Sequence, residues 1–413
     1  MSLFATPARP KLQSTTVQNL PTPLIDAVLH TARAEPLPKV PMLQAAAMQP
    51  QGLTIPVDLP TGPLPRLQSQ AQQQQLDHLS ERLAELQGWL SGDLLHVEEA
   101  LKSVRGESLA QRAGQHILAA GGKRLRPLCT LIAARIGPLQ DPQARQHARD
   151  LAVAVELVHA ATLLHDDVVD VSDTRRGLPT ARLLHGNEVS IYAGDWLLVE
   201  ALRRIVGTGH PRLLVSALDT IERLIFGEVQ QSQRARQLAG DVAGYFEVVE
   251  GKTAALFRWA LEAGAKAGGC ADAETAALVE YGGHLGVAFQ VIDDVLDLGG
   301  DTQRTGKALF TDLAEGKITL PLALMLQREP HRRDQVAQLA ARCADPAQRS
   351  LAEVKAECQD IVDAVRSCGA LAAARAEAET RTELARAALA KLPQGAEVAA
   401  LEQIGHALLA RQS

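Results

Sequence analysis

From about residue 72 to the C-terminal end, apolar residues recur every three or four positions, and the alternation typical of half-buried strands is scarce. This period predicts helices throughout, with one or two at 72–104, a continuous helix over 221–262 and helical packing over 322–413. Residues 1–71 hold more than half of the 21 prolines and few charges, and they lead into the polar run QSQAQQQQ. Such a composition buries too little apolar surface to fold alone. The sequence therefore predicts a disordered extension at 1–71 and an all-α domain at 72–413.

Composition and charge narrow the class of protein. The 413 residues are 46% apolar, which is enough for a large core, and the net charge of -6 argues against a general nucleic-acid-binding protein. Five widely spaced cysteines form no CxxC pair, which argues against a disulfide framework or a zinc site. No run of about 18 apolar residues and no signal-peptide core is present. We therefore expect a soluble, cytoplasmic protein.

Two acidic clusters with the same spacing lie far apart in the chain. Each places three aspartates within five positions, and the two sets are Asp166, Asp167, Asp170 and Asp293, Asp294, Asp297. In a helix, Asp166 and Asp170 stand one turn apart on a single face. His159 and Thr162 fall on roughly the same stripe. Like charges this close repel, and a hard cation such as Mg²⁺, bound by one or two carboxylates, water and phosphate, offsets the repulsion.

The surroundings of the clusters decide between a metal site and a solvated acidic surface. A single cluster is more often a solvated helix face. Here both clusters follow strongly apolar stretches, VELVHAATLL and HLGVAFQVI, and buried carboxylates are costly unless they are paired or bind metal. We therefore predict two acidic helix faces that point at each other and hold Mg²⁺ around a polyphosphate.

Basic residues mark two segments before and after the first acidic cluster. Arg175 and Arg176 follow it directly and indicate binding of an anion. In LAAGGKRLRPL, the pair Gly121 and Gly122 ends one helix, and a proline favours the start of the next. That start carries Lys123, Arg124 and Arg126. Three cations at a helix N-terminus predict a phosphate site, although a solvated basic cap explains this segment equally well.

Two later segments carry weaker signals. Lys252 and Thr253 lie in EGKTAALF, where a Lys–Thr pair on a helix is usually at the surface. The stretch GGDTQRTGKALFTDLAEGK contains Lys307 and Lys317. Its glycines predict a loop that closes over a charged ligand.

Several motifs, taken in chain order, resemble those of the trans-isoprenyl diphosphate synthases. They are GGKRLRP, LLHDDVVD followed by DTRRG, GKTA, and FQVIDDVLD followed by TDLAEGKITLPL. The resemblance extends from about residue 80 to the C-terminal end, and it is strongest to bacterial octaprenyl and related long-chain polyprenyl synthases that make quinone side chains. It implies the all-α isoprenoid synthase fold, with antiparallel helices around a deep central cavity. It also implies a homodimer and a transient contact with a membrane when the product is released.

The resemblance implies a Mg²⁺-dependent prenyltransferase that condenses isopentenyl diphosphate with an allylic diphosphate into a long-chain all-trans product. It assigns Mg²⁺ to Asp166, Asp170 and Asp293, assisted by Asp167, Asp294 and Asp297. It assigns the allylic diphosphate to Arg175, Lys252 and Lys317, with Lys307 nearby, and isopentenyl diphosphate to Lys123, Arg126, His159 and Arg176. It places Thr253 and Gln290 near the reacting carbons.

Several alternatives remain to be weighed. A purely structural acidic helical scaffold would explain neither the arginine pair nor the lysines. A class I terpene cyclase shares the first motif, but its second metal site reads as an Asn, Ser and Glu pattern in place of DDVLD. A non-catalytic subunit of a heteromeric synthase is expected to lack one acidic motif or the GGKRLRP segment, and all are intact here. A short-chain synthase that makes farnesyl or geranylgeranyl diphosphate keeps every motif.

Product length depends on the residues below the metal site in the cavity. One helical turn, about 5.4 Å, is close to the length of one isoprene unit, so the residues one turn before Asp166 form the first floor. Short-chain members of the family tend to carry an aromatic ring there, whereas Ala161 and Thr162 are small. We therefore predict a product clearly longer than farnesyl, around octaprenyl. The alternative is that Ala161 packs against a neighbouring helix.

Overall fold

The computed structural model describes residues 77–139, 141–237, 240–299, 311–314, 317–345 and 352–409. Within these ranges the chain is helical apart from one short hairpin and the connecting turns, which confirms the predicted all-α class. The boundary predicted between residues 71 and 72 and the predicted ligand residue Lys307 lie outside the described residues. Among the described helices, none has the length together with the apolar composition that a membrane span needs.

The helices are, in chain order, α1 (Asp77–Ser103), α2 (Leu109–Ala119), α3 (Leu125–Ile136), α4 (Pro142–Val169), α5 (Ala181–His185), α6 (Asn187–Gly207), α7 (Pro211–Gln237), α8 (Val242–Val249), α9 (Ala255–Gly268), α10 (Asp272–Gly299), α11 (Thr311–Ala314), α12 (Leu320–Arg328), α13 (Arg333–Ala344), α14 (Ala352–Ser367), α15 (Ala370–Leu389) and α16 (Ala396–Leu409). A π-helical turn at Glu250–Ala254 joins α8 to α9, and a 3₁₀ turn at Pro330–Arg332 precedes α13. The helix predicted at 72–104 corresponds to α1.

Local sequence explains where two of these helices begin. Ser108 and Gln111 form a capping box at the start of α2. Asp141 caps α4 by accepting a hydrogen bond from the Ala144 N–H (2.7 Å). Pro142 stands in the first turn of α4, where its missing N–H costs nothing. The start of α4, which carries the first acidic cluster, is therefore encoded locally.

The core is built around α4, α9 and α10. Most residues of α4 between Leu151 and Leu164 are buried. α9 is buried over most of its surface, with Phe257 and Trp259 almost completely buried, and its charged residues Arg258, Glu262 and Lys266 share one partly exposed face. α9 packs on α3 and α10, α4 packs on α6, and α10 packs on α15. The two acidic clusters therefore lie on firmly packed helices.

α4 ends within the first acidic cluster. Its last residue is Val169, and Asp170 is the C-cap, with its N–H bonded to the Asp166 carbonyl. Asp170 keeps right-handed dihedrals (φ -83°, ψ -1°), so it stays close to the face of Asp166. Val171 then takes a φ of 52°, the left-handed conformation that commonly ends helices. The chain turns away from α4 at this point.

A hairpin after α4 carries the two arginines of the DTRRG motif. Strand β1 (Thr174–Arg175) pairs antiparallel with strand β2 (Leu178–Pro179). Arg176 and Gly177 form the two-residue turn with φ values of 55° and 77°, as a type I′ turn requires. Two-residue strands are too short to show alternation, so the apolar pattern did not predict them.

The single helix predicted over 221–262 is wrong. α7 ends at Gln237, α8 begins at Val242, and the π-helical turn separates α8 from α9. Asp241 accepts a hydrogen bond from the Gly244 N–H (2.7 Å), so a local N-cap interrupts the continuous apolar period. In the C-terminal part, α12–α16 confirm the helical packing predicted over 322–413.

Candidate active site

The first acidic cluster faces two lysines. Lys317 Nζ donates to Asp170 Oδ2 at 2.7 Å, and Lys252 Nζ lies 3.5 Å from Asp166 Oδ2. The side chains of Asp166 and Asp170 are 14% and 16% exposed, which leaves both carboxylates within reach of a ligand. Two lysines from distant parts of the chain therefore lie next to the carboxylates of the first acidic cluster.

Asp167 and Arg175 form an ion pair beside these contacts. Arg175 Nε donates to Asp167 Oδ1 at 2.7 Å, and Asp167 is completely buried. Burial raises the pKa of Asp167, while Arg175 opposes the rise. The second carboxylate oxygen of Asp167 has no hydrogen-bond partner among the described residues. Asp167 therefore orients the first hairpin arginine, and its assisting role toward a metal stays a prediction.

The aspartates of the second cluster, on α10, differ from each other in exposure. Asp293 is partly exposed, whereas Asp294 and Asp297 are only 3% and 4% exposed. Because a metal that also binds substrate has to reach the cavity, Asp293 is the best placed of the three to be a direct ligand.

Asp294 is held in place by three hydrogen bonds. The donors are Tyr245 Oη (2.6 Å), Gln290 Nε2 (2.9 Å) and the Leu320 N–H (3.2 Å). Burial, with the charge of Asp312 nearby, raises the pKa of Asp294 to about 7, although the three donors favour the ionised form. The carboxylate therefore connects α8, α10 and the start of α12.

Lys252 is positioned by residues that the sequence analysis missed. Its Nζ lies 2.6 Å from Glu228 Oε1 and 2.8 Å from Gln231 Oε1, both on α7. Burial raises the pKa of Glu228, Asp166 adds to the rise, and Lys252 opposes it. The available signal was GEVQQSQ, in which Glu228 and Gln231 are three positions apart and therefore share a helix face.

α7 crosses the π-helical turn at a contact between two glycines. A Cβ on Gly227 would lie 2.8 Å from the backbone nitrogen of Lys252, and a Cβ on Gly251 would lie 3.3 Å from the Cα of Gly227. The first contact leaves no room for a side chain without a shift of the backbone. This close approach allows Glu228 and Gln231 to reach the Lys252 ammonium. π-Helical turns are frequent at functional sites, and this one matches that tendency.

The GGKRLRP segment contains both structural and candidate ligand residues. Arg124 is buried, has a φ of 45°, and pairs with Glu156 at 2.5 Å and Glu98 at 3.1 Å. Its guanidinium is thus neutralised inside the fold, so the prediction that Arg124 belongs to the phosphate site is wrong. Lys123 and Arg126 remain as candidates.

Arg126 and His159 share a positively charged environment. The Arg126 guanidinium lies 4.5 Å from the centre of the Phe257 ring, and its Nε has no hydrogen-bond partner within the described part of the chain. Burial lowers the pKa of Arg126. Burial also holds the pKa of His159 well below its usual value, and Arg126 and Arg176 lower it further. His159 is therefore neutral at neutral pH and can bind an anion through an N–H rather than through charge.

The hairpin reaches the GGKRLRP segment through Arg176. A Cβ on Gly122 would lie 3.0 Å from both terminal nitrogens of Arg176, so the guanidinium rests directly against the glycine backbone. The structure thus brings together the two basic segments that are separated in sequence by α3 and α4.

A pocket of about 130 Å³ is bordered by Asp294 of the second acidic cluster and by two lysines that contact the first cluster. Its lining includes five residues predicted from the sequence, namely Lys252, Thr253, Gln290, Asp294 and Lys317. Thr253 Oγ1 donates to Gln290 Oε1 at 2.9 Å, which orients both side chains along the wall. Because Lys252 and Lys317 also contact Asp166 and Asp170, the first acidic cluster lies beside this pocket.

The two predicted floor residues lie on α4 below Asp166. Ala161 is completely buried, whereas Thr162 is partly exposed and donates from Oγ1 to the His159 carbonyl at 2.8 Å. The burial of Ala161 fits packing against a neighbouring helix, so Thr162 is the better candidate for a wall of the cavity.

The oxygen donors of the two clusters fit a hard divalent cation. Asp166, Asp170 and Asp293 supply carboxylates, without the sulfur and imidazole ligands that softer metals prefer. No three Asp, Glu, His or Cys side chains form a complete metal site by themselves in the described ranges. Mg²⁺ does not need one, because it keeps several waters and takes phosphate oxygens from its substrate. The residues therefore suit a metal that binds together with a diphosphate.

Comparison with known proteins identifies relatives that match much of the helical region. Residues 107–361 match the family model described as polyprenyl synthetase. The octaprenyl diphosphate synthase of Escherichia coli (strain K12) is 34% identical over 304 residues, which is 73% of this chain and 90% of that protein. Component 2 of the heptaprenyl diphosphate synthase of Geobacillus stearothermophilus is 36% identical over 250 residues, covering 60% of this chain and 77% of that one.

Solved structures show the same fold. A polyprenyl synthase from Caulobacter crescentus CB15, determined in complex with calcium and isoprenyl diphosphate, is 36% identical with a TM-score of 0.70, covering 79% of this chain and 97% of that chain. A decaprenyl diphosphate synthase from Rhodobacter capsulatus is 34% identical with a TM-score of 0.71, covering 80% and 99%. A family model that spans more than half of the chain, together with relatives matched over most of their length, shows that this protein is a prenyltransferase of the polyprenyl synthetase family.

Proposed function

We propose that this protein condenses isopentenyl diphosphate with an allylic prenyl diphosphate and releases a long-chain all-trans polyprenyl diphosphate. The observation that carries the proposal is the pocket lined by Asp294 and by Lys252 and Lys317, the two lysines that also contact the first acidic cluster. Carboxylates that hold metal, with ammonium groups beside them, suit a diphosphate. The relatives named octaprenyl and decaprenyl diphosphate synthases support a long product.

Asp166, Asp170 and Asp293 are the proposed ligands of Mg²⁺, with Asp167, Asp294 and Asp297 as assisting residues. Bound Mg²⁺ would neutralise the negative charge that develops on the departing diphosphate. The calcium in the Caulobacter crescentus structure supports a divalent site in a relative, and the carboxylate donors favour Mg²⁺ here.

The allylic diphosphate is proposed to bind Lys252, Lys317 and Arg175, with Lys307 nearby. When the allylic carbon–oxygen bond breaks, the electron pair leaves with the diphosphate, and these cations stabilise the charge that it acquires. Thr253 and Gln290 line the wall of the same pocket, where the Gln290 carbonyl dipole can stabilise the allylic cation. No side-chain nucleophile takes part.

Isopentenyl diphosphate is proposed to bind Lys123, Arg126, His159 and Arg176. The double bond of isopentenyl diphosphate attacks the allylic cation and forms the new carbon–carbon bond. Loss of a proton to the released diphosphate then regenerates an allylic product that is one unit longer. The neutral His159 donates a hydrogen bond to the bound diphosphate, while the three other residues supply charge.

The test is an assay of the purified full chain with Mg²⁺, labelled isopentenyl diphosphate and farnesyl diphosphate, followed by chromatographic sizing of the products. We expect a product around octaprenyl and no turnover after chelation of the metal. A product that stops at farnesyl or geranylgeranyl diphosphate would establish the short-chain alternative. A folded chain that stays inactive alone would favour a subunit of a heteromeric synthase.

We also propose that the protein is a homodimer that associates through an apolar surface on α6 and α7, called here the α6–α7 face. Its exposed side chains are Ile191, Tyr192, Val199 and Val206 on α6 and Val215, Leu218, Ile225, Phe226 and Val229 on α7. Monomeric proteins rarely expose so many neighbouring large apolar residues. A surface of this kind is expected to be covered by a partner.

The spacing of these residues favours a second copy of the chain as the partner. Tyr192, Val199 and Val206 repeat every seven residues, as do Leu218 and Ile225, and this period forms helix–helix seams. One apolar face on adjacent helices can pair with itself about a two-fold axis. The proposed partner on the α6–α7 face is therefore a second copy of this chain.

Light scattering coupled to gel filtration tests the dimer. We expect a dimer for the wild type and a monomer for Phe226→Glu. The matched control is Leu95→Glu, because Leu95 is equally exposed but lies on α1, outside the α6–α7 face. Dimers in both variants would contradict the assignment. A wild-type monomer that gains activity with a second, different protein would indicate the heteromeric alternative suggested by the component 2 relative.

A further inference from the structure

Asp294 is the centre of a hydrogen-bond network that includes Tyr245, another residue of the pocket lining. Tyr245, on α8, is only 8% exposed, and its hydroxyl donates to Asp294 Oδ2 at 2.6 Å. The same oxygen accepts the Leu320 N–H at the start of α12 (3.2 Å). Tyr245 and the start of α12 therefore fix one carboxylate oxygen of Asp294.

The other carboxylate oxygen of Asp294 extends the network to Gln290 and Thr253. Gln290 Nε2 donates to Asp294 Oδ1 at 2.9 Å, and Gln290 Oε1 accepts from Thr253 Oγ1 at 2.9 Å. An amide that donates on one side and accepts on the other has a single satisfied orientation. The chain of bonds thus runs from Tyr245 through Asp294 to Gln290 and Thr253.

We infer that the Tyr245 hydroxyl has a positioning role and fixes Gln290 and Thr253 through Asp294, to which it is hydrogen-bonded. The inference deepens the proposed function, since it assumes that these two side chains border the reacting carbons. The network connects α8, the π-helical turn, α10 and α12. Removal of the Tyr245 hydroxyl is therefore expected to affect the orientation of two side chains on different elements, Thr253 and Gln290. Displacement of a group by about 1 Å can lower turnover about a hundredfold.

The chain contains a matched control for this hydroxyl. Tyr281 is also on the buried side of the fold, is 1% exposed, and donates to the Leu401 carbonyl at 2.6 Å. Its partner is a backbone group of α16, which contributes nothing to the pocket lining. Tyr245→Phe and Tyr281→Phe each remove one buried hydroxyl with a bond of the same length, and they differ in whether that bond leads to the pocket.

The experiment measures kcat, both Michaelis constants and thermal unfolding for the full-length wild type and the two variants. We expect Tyr245→Phe to lower kcat about ten- to a hundredfold, by analogy with the loss of outer-shell partners at metal sites. Both Michaelis constants should stay within about twofold, because the diphosphate ligands are not displaced. Tyr281→Phe should retain wild-type kcat while its melting temperature falls by a comparable amount.

A double-mutant cycle with Gln290→Ala separates positioning from general loss of stability. If Tyr245 acts through Gln290, Tyr245→Phe should have little further effect on kcat once Gln290 is alanine. Additive losses, or equal kcat values in Tyr245→Phe and Tyr281→Phe, would overturn the inference while the proposed function stands. A wild-type chain that elongates no allylic diphosphate would overturn the proposed function and this inference with it.

Discussion

The two acidic clusters have the same sequence spacing, yet their aspartates differ in exposure and in hydrogen-bond partners. In the first cluster, Asp166 and Asp170 are partly exposed and face lysines from other elements. In the second, Asp294 is buried and bound by three protein donors, while Asp293 keeps some exposure. One reason is that α4 ends at Val169, whereas α10 continues past its cluster to Gly299. Equal spacing therefore does not imply equal roles.

The comparison distinguishes carboxylates that can bind a metal from carboxylates that stabilise the fold. An exposed carboxylate beside an ammonium can exchange that partner for a metal and a diphosphate. A buried carboxylate with all its donors supplied by the protein would lose those bonds if it turned toward a ligand, and each unsatisfied buried group costs about 1–3 kcal/mol. We therefore expect substitutions in the first cluster to affect turnover and substitution of Asp294 to affect stability as well.

The largest expected effect tests this difference directly. Asp166→Ala should lower turnover about a hundred- to a thousandfold, because it removes a group that stabilises the departing diphosphate through the metal. Its melting temperature should match the wild type, since the side chain is partly exposed. Asp294→Ala should lower both turnover and stability, the latter by at least about 1–3 kcal/mol, because three donors lose their acceptor and each buried one that stays unsatisfied costs about that much. Steady-state rates and urea unfolding measure the two quantities, and equal unfolding curves would refute the comparison.

A second prediction separates the two diphosphate pockets. Arg126→Ala should raise the Michaelis constant for isopentenyl diphosphate about tenfold or more, since a charge-assisted hydrogen bond contributes about 1.5–3 kcal/mol. Lys252→Ala should instead weaken mainly the allylic substrate. Titration of each substrate at saturating concentration of the other checks the split. An Arg126→Ala variant that weakened only the allylic substrate would show that the assignment of this arginine is wrong.

A third prediction concerns the α4 wall below the first cluster. Thr162→Phe should shorten the product, because Thr162 is partly exposed on the stripe that carries Asp166. Ala161→Phe should mainly destabilise the fold by about 1–3 kcal/mol, since the site is completely buried and a ring overpacks it. Product sizing together with thermal unfolding distinguishes the two variants. Shortening by Ala161→Phe without loss of stability would instead support Ala161 as the floor.

The smallest expected effect is a pH dependence of stability that arises from His159. Its pKa is held well below 6.5 in the folded state, so below about pH 6.5 the unfolded chain binds a proton that the folded chain does not. The free energy of unfolding should therefore decrease as pH falls, by up to about 1.4 kcal/mol per pH unit from this group, until the folded-state pKa is reached. His159→Gln should show a shallower decrease in urea unfolding between pH 7.5 and 5. Parallel curves would contradict this assignment.

Local signals in the sequence were sufficient for several parts of the result. The apolar period predicted an all-α fold because burial of one helix face repeats every three to four residues. The repeated aspartate spacing and the GKTA, FQVIDDVLD and TDLAEGK motifs identified five residues that line the pocket. The same pattern failed over 221–262, where the Asp241 cap and a π-helical turn interrupt the helix without changing the apolar period.

What the sequence determined by itself was the fold class, the family and the chemical types of residue at the site, because each depends on spacing along a single segment. Tertiary structure alone decided that Arg124 is neutralised by Glu98 and Glu156, and that Glu228 and Gln231 hold Lys252. These pairings depend on how closely distant helices approach, as at the Gly227 contact with the π-helical turn. Burial and partner choice are properties of that packing, and no single segment encodes them.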